Sequence, residues 1–171
     1  MYSINATKKL LERMREPIDG PVLEPSTKLG NWFAKPLFWR PQYALFVSES
    51  TFLSVFAPLA PASTLAMRFP DELAMTLRAH GIPGSFITDE LAAMDNVVVS
   101  KTNSRQVVGV LNEFAFMANR TRELHPEMTP LQMALNLADT PVGIYRQGYR
   151  FPDVALRELV EAHTSRSSDN E

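Results

Sequence analysis

Val97-Val98-Val99-Ser100-Lys101-Thr102-Asn103-Ser104-Arg105 runs directly into Gln106-Val107-Val108-Gly109-Val110-Leu111-Asn112-Glu113-Phe114-Ala115-Phe116. A β-branched run gives way to a polar turn, and the turn opens a helix of about five turns. A strand followed at once by a long amphipathic helix needs a sheet for the one and a packed face for the other, so the fold combines α and β. At roughly 100° per residue, Val107, Leu111, Phe114, Ala115 and Ala118 share the core arc, with Gln106, Glu113 and Met117 opposite. Arg105, Gly109, Asn112 and Phe116 fall in a narrow stripe between the two. A glycine in mid-helix costs about 1 kcal/mol relative to alanine. Gly109 therefore predicts the close passage of a strand, a helix or a ligand.

Working outward, Pro70-Asp71-Glu72 has the composition of a helix start, with Leu73, Met75 and Leu77 inward and His80-Gly81 at the end. His80 is expected there as a charged cap favoured by the helix dipole. A second short helix begins near Ser85. Residues 32–39, 43–48 and 52–57 read as three strands whose short links favour an antiparallel meander. Pro36 inside the first of them predicts an edge or a bulge. The 97–100 strand returns after two helices to join this sheet. Before the meander lie a brief extended start at residues 2–5, a helix at 7–15, and a proline-rich crossing segment at 16–28. After the long helix, Thr129-Pro130 starts another, residues 142–150 are irregular or weakly extended, and Pro152-Asp153 opens the last helix. Together these predict one α+β domain over residues 1–163, an antiparallel sheet of about four strands packed against helices. The polar stretch 164–171 is expected to be a disordered tail.

The chain has 171 residues, 45% of them hydrophobic and 21% charged, which suits a globular domain with a substantial core. A net charge of −2 argues against the basic footprint that nucleic acid requires. No apolar run approaches the ~20 residues of a membrane span, and the first residues lack the regions of a secretion signal. Cysteine is absent, which excludes disulfides, thiolate metal sites and a cysteine nucleophile. A cytoplasmic location is the expectation.

The three histidines, His80, His125 and His163, lack metal-ligand spacing, and neither a nucleophile elbow nor a glycine-rich phosphate loop occurs. No metal and no cofactor are expected. Trp32 and Trp39, interleaved with Lys35 and Arg40, have the composition of a base-stacking platform. Large apolar residues on both strand faces favour core packing instead. Lys8, Lys9, Glu12 and Arg13 form a solvated helix face that is also able to meet an acidic partner.

The remaining candidate is the polar entrance of the long helix. Lys101, Asn103, Ser104 and Arg105 present it to an anion such as phosphate or carboxylate, and Gly109 and Asn112 continue the seam. Alternatively, Arg105 and Asn112 are internal struts that satisfy backbone carbonyls. Glu113 lies about 80° from the Arg105 stripe on the wheel, a poor position for a base acting on the same ligand. Two functional readings follow. One is an accessory module without enzymatic activity, contacting an unknown protein partner or a second copy through the Arg105 margin. The other is an enzyme or binder of a phosphate- or carboxylate-bearing small molecule or nucleotide, using Lys101, Arg105 and Asn112.

The order Lys101, Ser104-Arg105, Val107, Gly109, Asn112-Glu113 after a β-run resembles a bacterial family, domain of unknown function 6933. Its members carry Asn-Arg-Ser-Val-x-Gly-Ser-Met-Asn-Asp at this point. Here Ser104 replaces the asparagine, Gln106 the first serine and Val110 the second. Thr7-Lys8-Lys9-Leu10, Asn31-Trp32-Phe33-Ala34 and Tyr149-Arg150-Phe151-Pro152 also resemble stretches of that family. The resemblance spans roughly residues 3–160. It implies a bacterial origin and brings no activity with it.

Overall fold

Tyr2–Ala6 (β1) is buried along its whole length, and the sheet is laid out around it. The computed structural model describes residues 1–144 and 148–169. The other strands are Trp32–Leu37 (β2), Tyr43–Ser48 (β3), Ser54–Pro58 (β4) and Val97–Lys101 (β5), in the order β4-β3-β2-β1-β5. β2, β3 and β4 form the antiparallel meander that their short links dictate. β1 is parallel to both its neighbours, with Ile4 opposite Trp32 on one side and Val99 on the other. The sheet is therefore mixed and five-stranded rather than antiparallel and four-stranded. The extended start of the chain is an interior strand, and β5 joins the sheet through it. Residues 7–31, which include the helix Lys8–Met14 (α1), supply the long crossover that a parallel pair requires.

Pro36 lies in β2 although β2 has a neighbour on each side. The Ala34 carbonyl accepts the Thr7 N–H at 3.0 Å, and at Thr7 the chain leaves the sheet for α1. Pro36, two residues on, faces the same side beyond the end of β1, where no strand needs its missing N–H.

Helices cover both faces. On one face Tyr2, Ile4, Trp32, Phe46 and Val55 pack with α1, with Leu65–Ala79 (α2), with Gly84–Ala93 (α3) and with the last helix, Pro152–Ser168 (α6). Phe69 of α2 stacks on Phe46 with centroids 4.2 Å apart and meets Trp32 edge-on at 4.9 Å. On the other face Phe33, Leu37, Trp39, Leu45 and Val47 pack with Arg105–Leu124 (α4) and Pro130–Ala138 (α5). Val107, Leu111, Phe114, Ala115 and Ala118 of α4 are buried as the wheel predicts, joined by Val110. Both tryptophans are buried and lie in these cores.

Several boundaries differ from expectation. α2 starts at Leu65, so Pro70 lies inside it and not in its first turn. The Arg68 guanidinium fixes this earlier entry by donating to the carbonyls of Pro58, Leu59 and Pro61 at 2.9–3.1 Å. His80 does cap α2, but it is buried, and burial pushes its pKa below the ordinary value, against the pull of Asp153. α6 continues through Thr164 to Ser168, so the expected tail is helical that far. Ser165, Ser167 and Ser168 each donate a hydroxyl to the carbonyl four residues back. Val142–Ile144 (β6) and Gly148–Arg150 (β7) pair antiparallel, while residues 145–147 of the stretch expected to be irregular lie outside the described residues. Among the described residues no helix is long and apolar enough to cross a membrane.

Candidate functional site

β1, β2 and β5 run in one direction, and two crevices open at their carboxyl ends. The first, of about 580 Å³, is lined by Thr7, Lys8, Lys9, Lys35, Phe38, Trp39 and Asn119 among others. The second, of about 660 Å³, is lined by Ala6, Lys8, Leu11, Glu12, Ile18, Lys101 and Thr102. Lys8 belongs to both. The two parallel partners of β1 lie on opposite sides of it, so this is the place where strand order reverses. Open sheets with parallel strands collect ligands at such reversals, outside the carboxyl ends.

The first crevice exists because β1 ends early and because α4 lies over β2 and β3, leaving its flank toward the gap. That flank is held at two points, one on β2 and one just past its end. Lys35 Nζ donates to Asn112 Oδ1 at 3.0 Å, and Trp39 Nε1 donates to Asn119 Oδ1 at 2.7 Å. The acceptors are two helical turns apart, about 10.5 Å, and the donors are four extended residues apart, about 13 Å, so the side chains bridge a small mismatch. Arg122 lies over the Trp39 ring at 4.7 Å, and Lys9 Nζ lies 5.6 Å from the Phe38 centroid.

The electrostatics are one-sided. Four of the five lysines in the chain line the two crevices, in a protein of net charge −2. Among the described residues, none of these lysines is in an ion pair, and no carboxylate lines the first crevice. Glu12 is the acid in the wall of the second. Partial burial, and then the charge of Lys9, lower the pKa of Lys35. Thr7 Oγ1 is shielded from solvent in the wall of the first crevice and has no hydrogen-bond partner among the described residues.

The seam expected along the long helix is divided among these features. Lys101 lines the second crevice, and Asn112 fixes Lys35 at the first. Asn103, Ser104 and Arg105 line a separate hollow of about 380 Å³ that shares Thr102 with the second crevice. Ser104 caps α4, its Oγ accepting the Val107 N–H at 3.3 Å. Gly109 is exposed, and among the described residues a Cβ there would meet nothing within 4 Å, so none of them makes the close passage expected over it. It lines a 220 Å³ hollow with Arg105, Val142 and Gly143, and Glu113 lines the same hollow despite its displacement on the wheel. Lys8, Lys9 and Lys35 were not singled out by sequence as a group. The available signal was positional, since Lys8 and Lys9 follow the end of β1 and Lys101 ends β5.

A mixed sheet with helices on both faces, opened at the carboxyl end of its first strand, defines an α+β domain with a lysine-lined crevice. The chain belongs to the family described as Domain of unknown function (DUF6933), which matches residues 3–155 and so includes all the residues lining both crevices. No curated protein and no solved structure matches it.

Proposed function

We propose that the chain binds a small phosphate- or carboxylate-bearing molecule at the carboxyl end of β1. The observation that carries this reading is the gathering of Lys8, Lys9 and Lys35 in a crevice without a carboxylate. Like charges gathered at one opening repel, and an anion between them relieves that repulsion. Lys101 extends the positive field into the adjoining crevice, and Asn112 Oδ1 fixes the position of Lys35 Nζ. The reading assumes a cytoplasmic location. Lysine side-chain NMR at low salt tests it, with inorganic phosphate, pyrophosphate and citrate as probes. Saturable shifts at Lys9 and Lys35 are expected with at least one probe and are retained in Lys28→Gln, while the accompanying shift at Lys8 is lost in the K9Q/K35Q double variant. An absence of saturable shifts with all three probes overturns the proposal.

A second reading, an accessory module docking on a protein or on a second copy, is supported by the exposed stripe of Arg105, Gly109 and Phe116 along α4. Phe116 is 69% exposed. Sedimentation across a concentration range, with Phe116→Ser as the comparison, tests self-association through that stripe.

A further inference from the structure

Within the lysine cluster, Lys35 has surroundings that suit chemistry as well as charge. Its side chain leaves β2 beside α4, and Asn112 Oδ1 holds its Nζ at 3.0 Å. The partner is a neutral amide, which fixes the position of the amine without favouring its charged form as a carboxylate would. Lys9 lines the same crevice, and no carboxylate lines it. Thr7 adds a hydroxyl without a partner. A lysine that is partly desolvated and set beside another cation keeps more of its amine unprotonated, and such an amine attacks carbonyl carbon. The lowered pKa of Lys35 agrees with this geometry.

We infer that Lys35 captures a 2-oxo acid as an imine, with the carboxylate held by Lys8 and Lys9 and the keto carbon set against Lys35 Nζ. This rests on the anion-binding reading above. The Nζ lone pair adds to the keto carbon, forming a C–N bond as the C=O π pair moves onto oxygen, which takes up a proton. Nitrogen then releases a proton to solvent and uses its lone pair to expel the oxygen, which leaves as water with a second proton. Overall, the amine, the ketone and one proton give an iminium ion and one water, with no change of oxidation state. The crevice, at about 580 Å³, leaves room for a side chain beyond the three-carbon reacting unit.

The test treats the full chain with pyruvate and sodium cyanoborohydride, which reduces an iminium to a stable carboxyethyl-lysine, and maps the modified peptides by mass spectrometry. Lys35 is expected to be modified severalfold more than Lys28, which lines neither crevice. Modification at this site is expected to vanish in Lys35→Arg, which keeps the cation and cannot form the imine. Excess lactate, which has the carboxylate and no keto group, slows the reaction at Lys35. Modification of Lys35 no greater than that of Lys28 overturns the imine, and this comparison needs no variant. If lactate still shifts the Lys9 and Lys35 NMR signals in that case, anion binding stands and only the covalent step falls. If neither lactate nor the three anion probes shift them, both readings fall.

Discussion

Glu90 Oε1, on a side chain fully buried in α3, accepts the backbone N–H of Leu29 at 3.0 Å, and Oε2 accepts that of Lys28 at 2.8 Å. One carboxylate thus pins the end of the long crossover just before the chain enters β2. Glu90→Ala removes both acceptors at once and is expected to cost roughly 2–4 kcal/mol, measured by urea unfolding. Burial raises the Glu90 pKa, outweighing the two N–H bonds and the charge of Lys28. The folded chain therefore keeps a proton that the unfolded chain has lost. The stabilising contribution of that proton is full below the ordinary carboxylate range and is lost as pH rises through the raised value. The stability difference between the wild type and Glu90→Gln is expected to fall over that interval.

His80 has the opposite sign. Burial lowers its pKa from 6.5, the Asp153 carboxylate pulls it back up, Arg157 lowers it and Asp139 raises it. The neutral ring is the folded form, so its contribution is present above the ordinary histidine value and lost as pH falls through the lowered one. Proton NMR of the His80 ring should give a midpoint below 6.5, and Asp153→Asn should move that midpoint further down. A midpoint above 6.5 in the wild type contradicts the assignment.

Two glycines make contrasting predictions. Gly109 has open space where a Cβ would sit, so Gly109→Ala should raise stability by about 0.5–1 kcal/mol in urea or thermal unfolding. Gly30 has φ +75°, and a Cβ there would meet Glu49 Oε1 at 2.8 Å and Cγ at 2.9 Å. Glu49 Oε1 also accepts the Asn31 N–H, so it is not free to withdraw. Gly30→Ala should lower stability by roughly 1–3 kcal/mol.

Asn112→Asp sets a carboxylate where the neutral amide now holds Lys35. The aspartate favours the protonated amine and competes with an incoming anion. Phosphate binding is expected to weaken about three- to tenfold, about 1 kcal/mol, by titration calorimetry. Asn112→Ala should lose less, because it adds no competing charge.

Elements coded by neighbouring residues were legible in the sequence. Thr129-Pro130 announces α5, and the structure adds Gln132, which completes a capping box with both reciprocal bonds. The α4 core face follows from spacing alone. Pairings between distant segments were not legible. Nothing in the five residues of β1 shows that Ile4 will lie between Trp32 and Val99, because parallel partners are chosen by the packing of the whole crossover. The candidate site failed to show for the same reason. Lys9, Lys35 and Asn112 are separated by 26 and then 77 positions, and although Asn112 stands out on the α4 seam, nothing local joins it to Lys35 or Lys9.

The first crevice begins as a difference in strand length, since β1 ends at Ala6 while β2 continues past Pro36 to Leu37. The gap is therefore written into the backbone, and its charge into side chains that the sheet does not need. Substitutions at Lys8, Lys9 or Lys35 change what the opening attracts, whereas closing it takes a longer first strand. Architecture and ligand preference are separate variables in this chain, and the preference can be retuned without redesigning the scaffold.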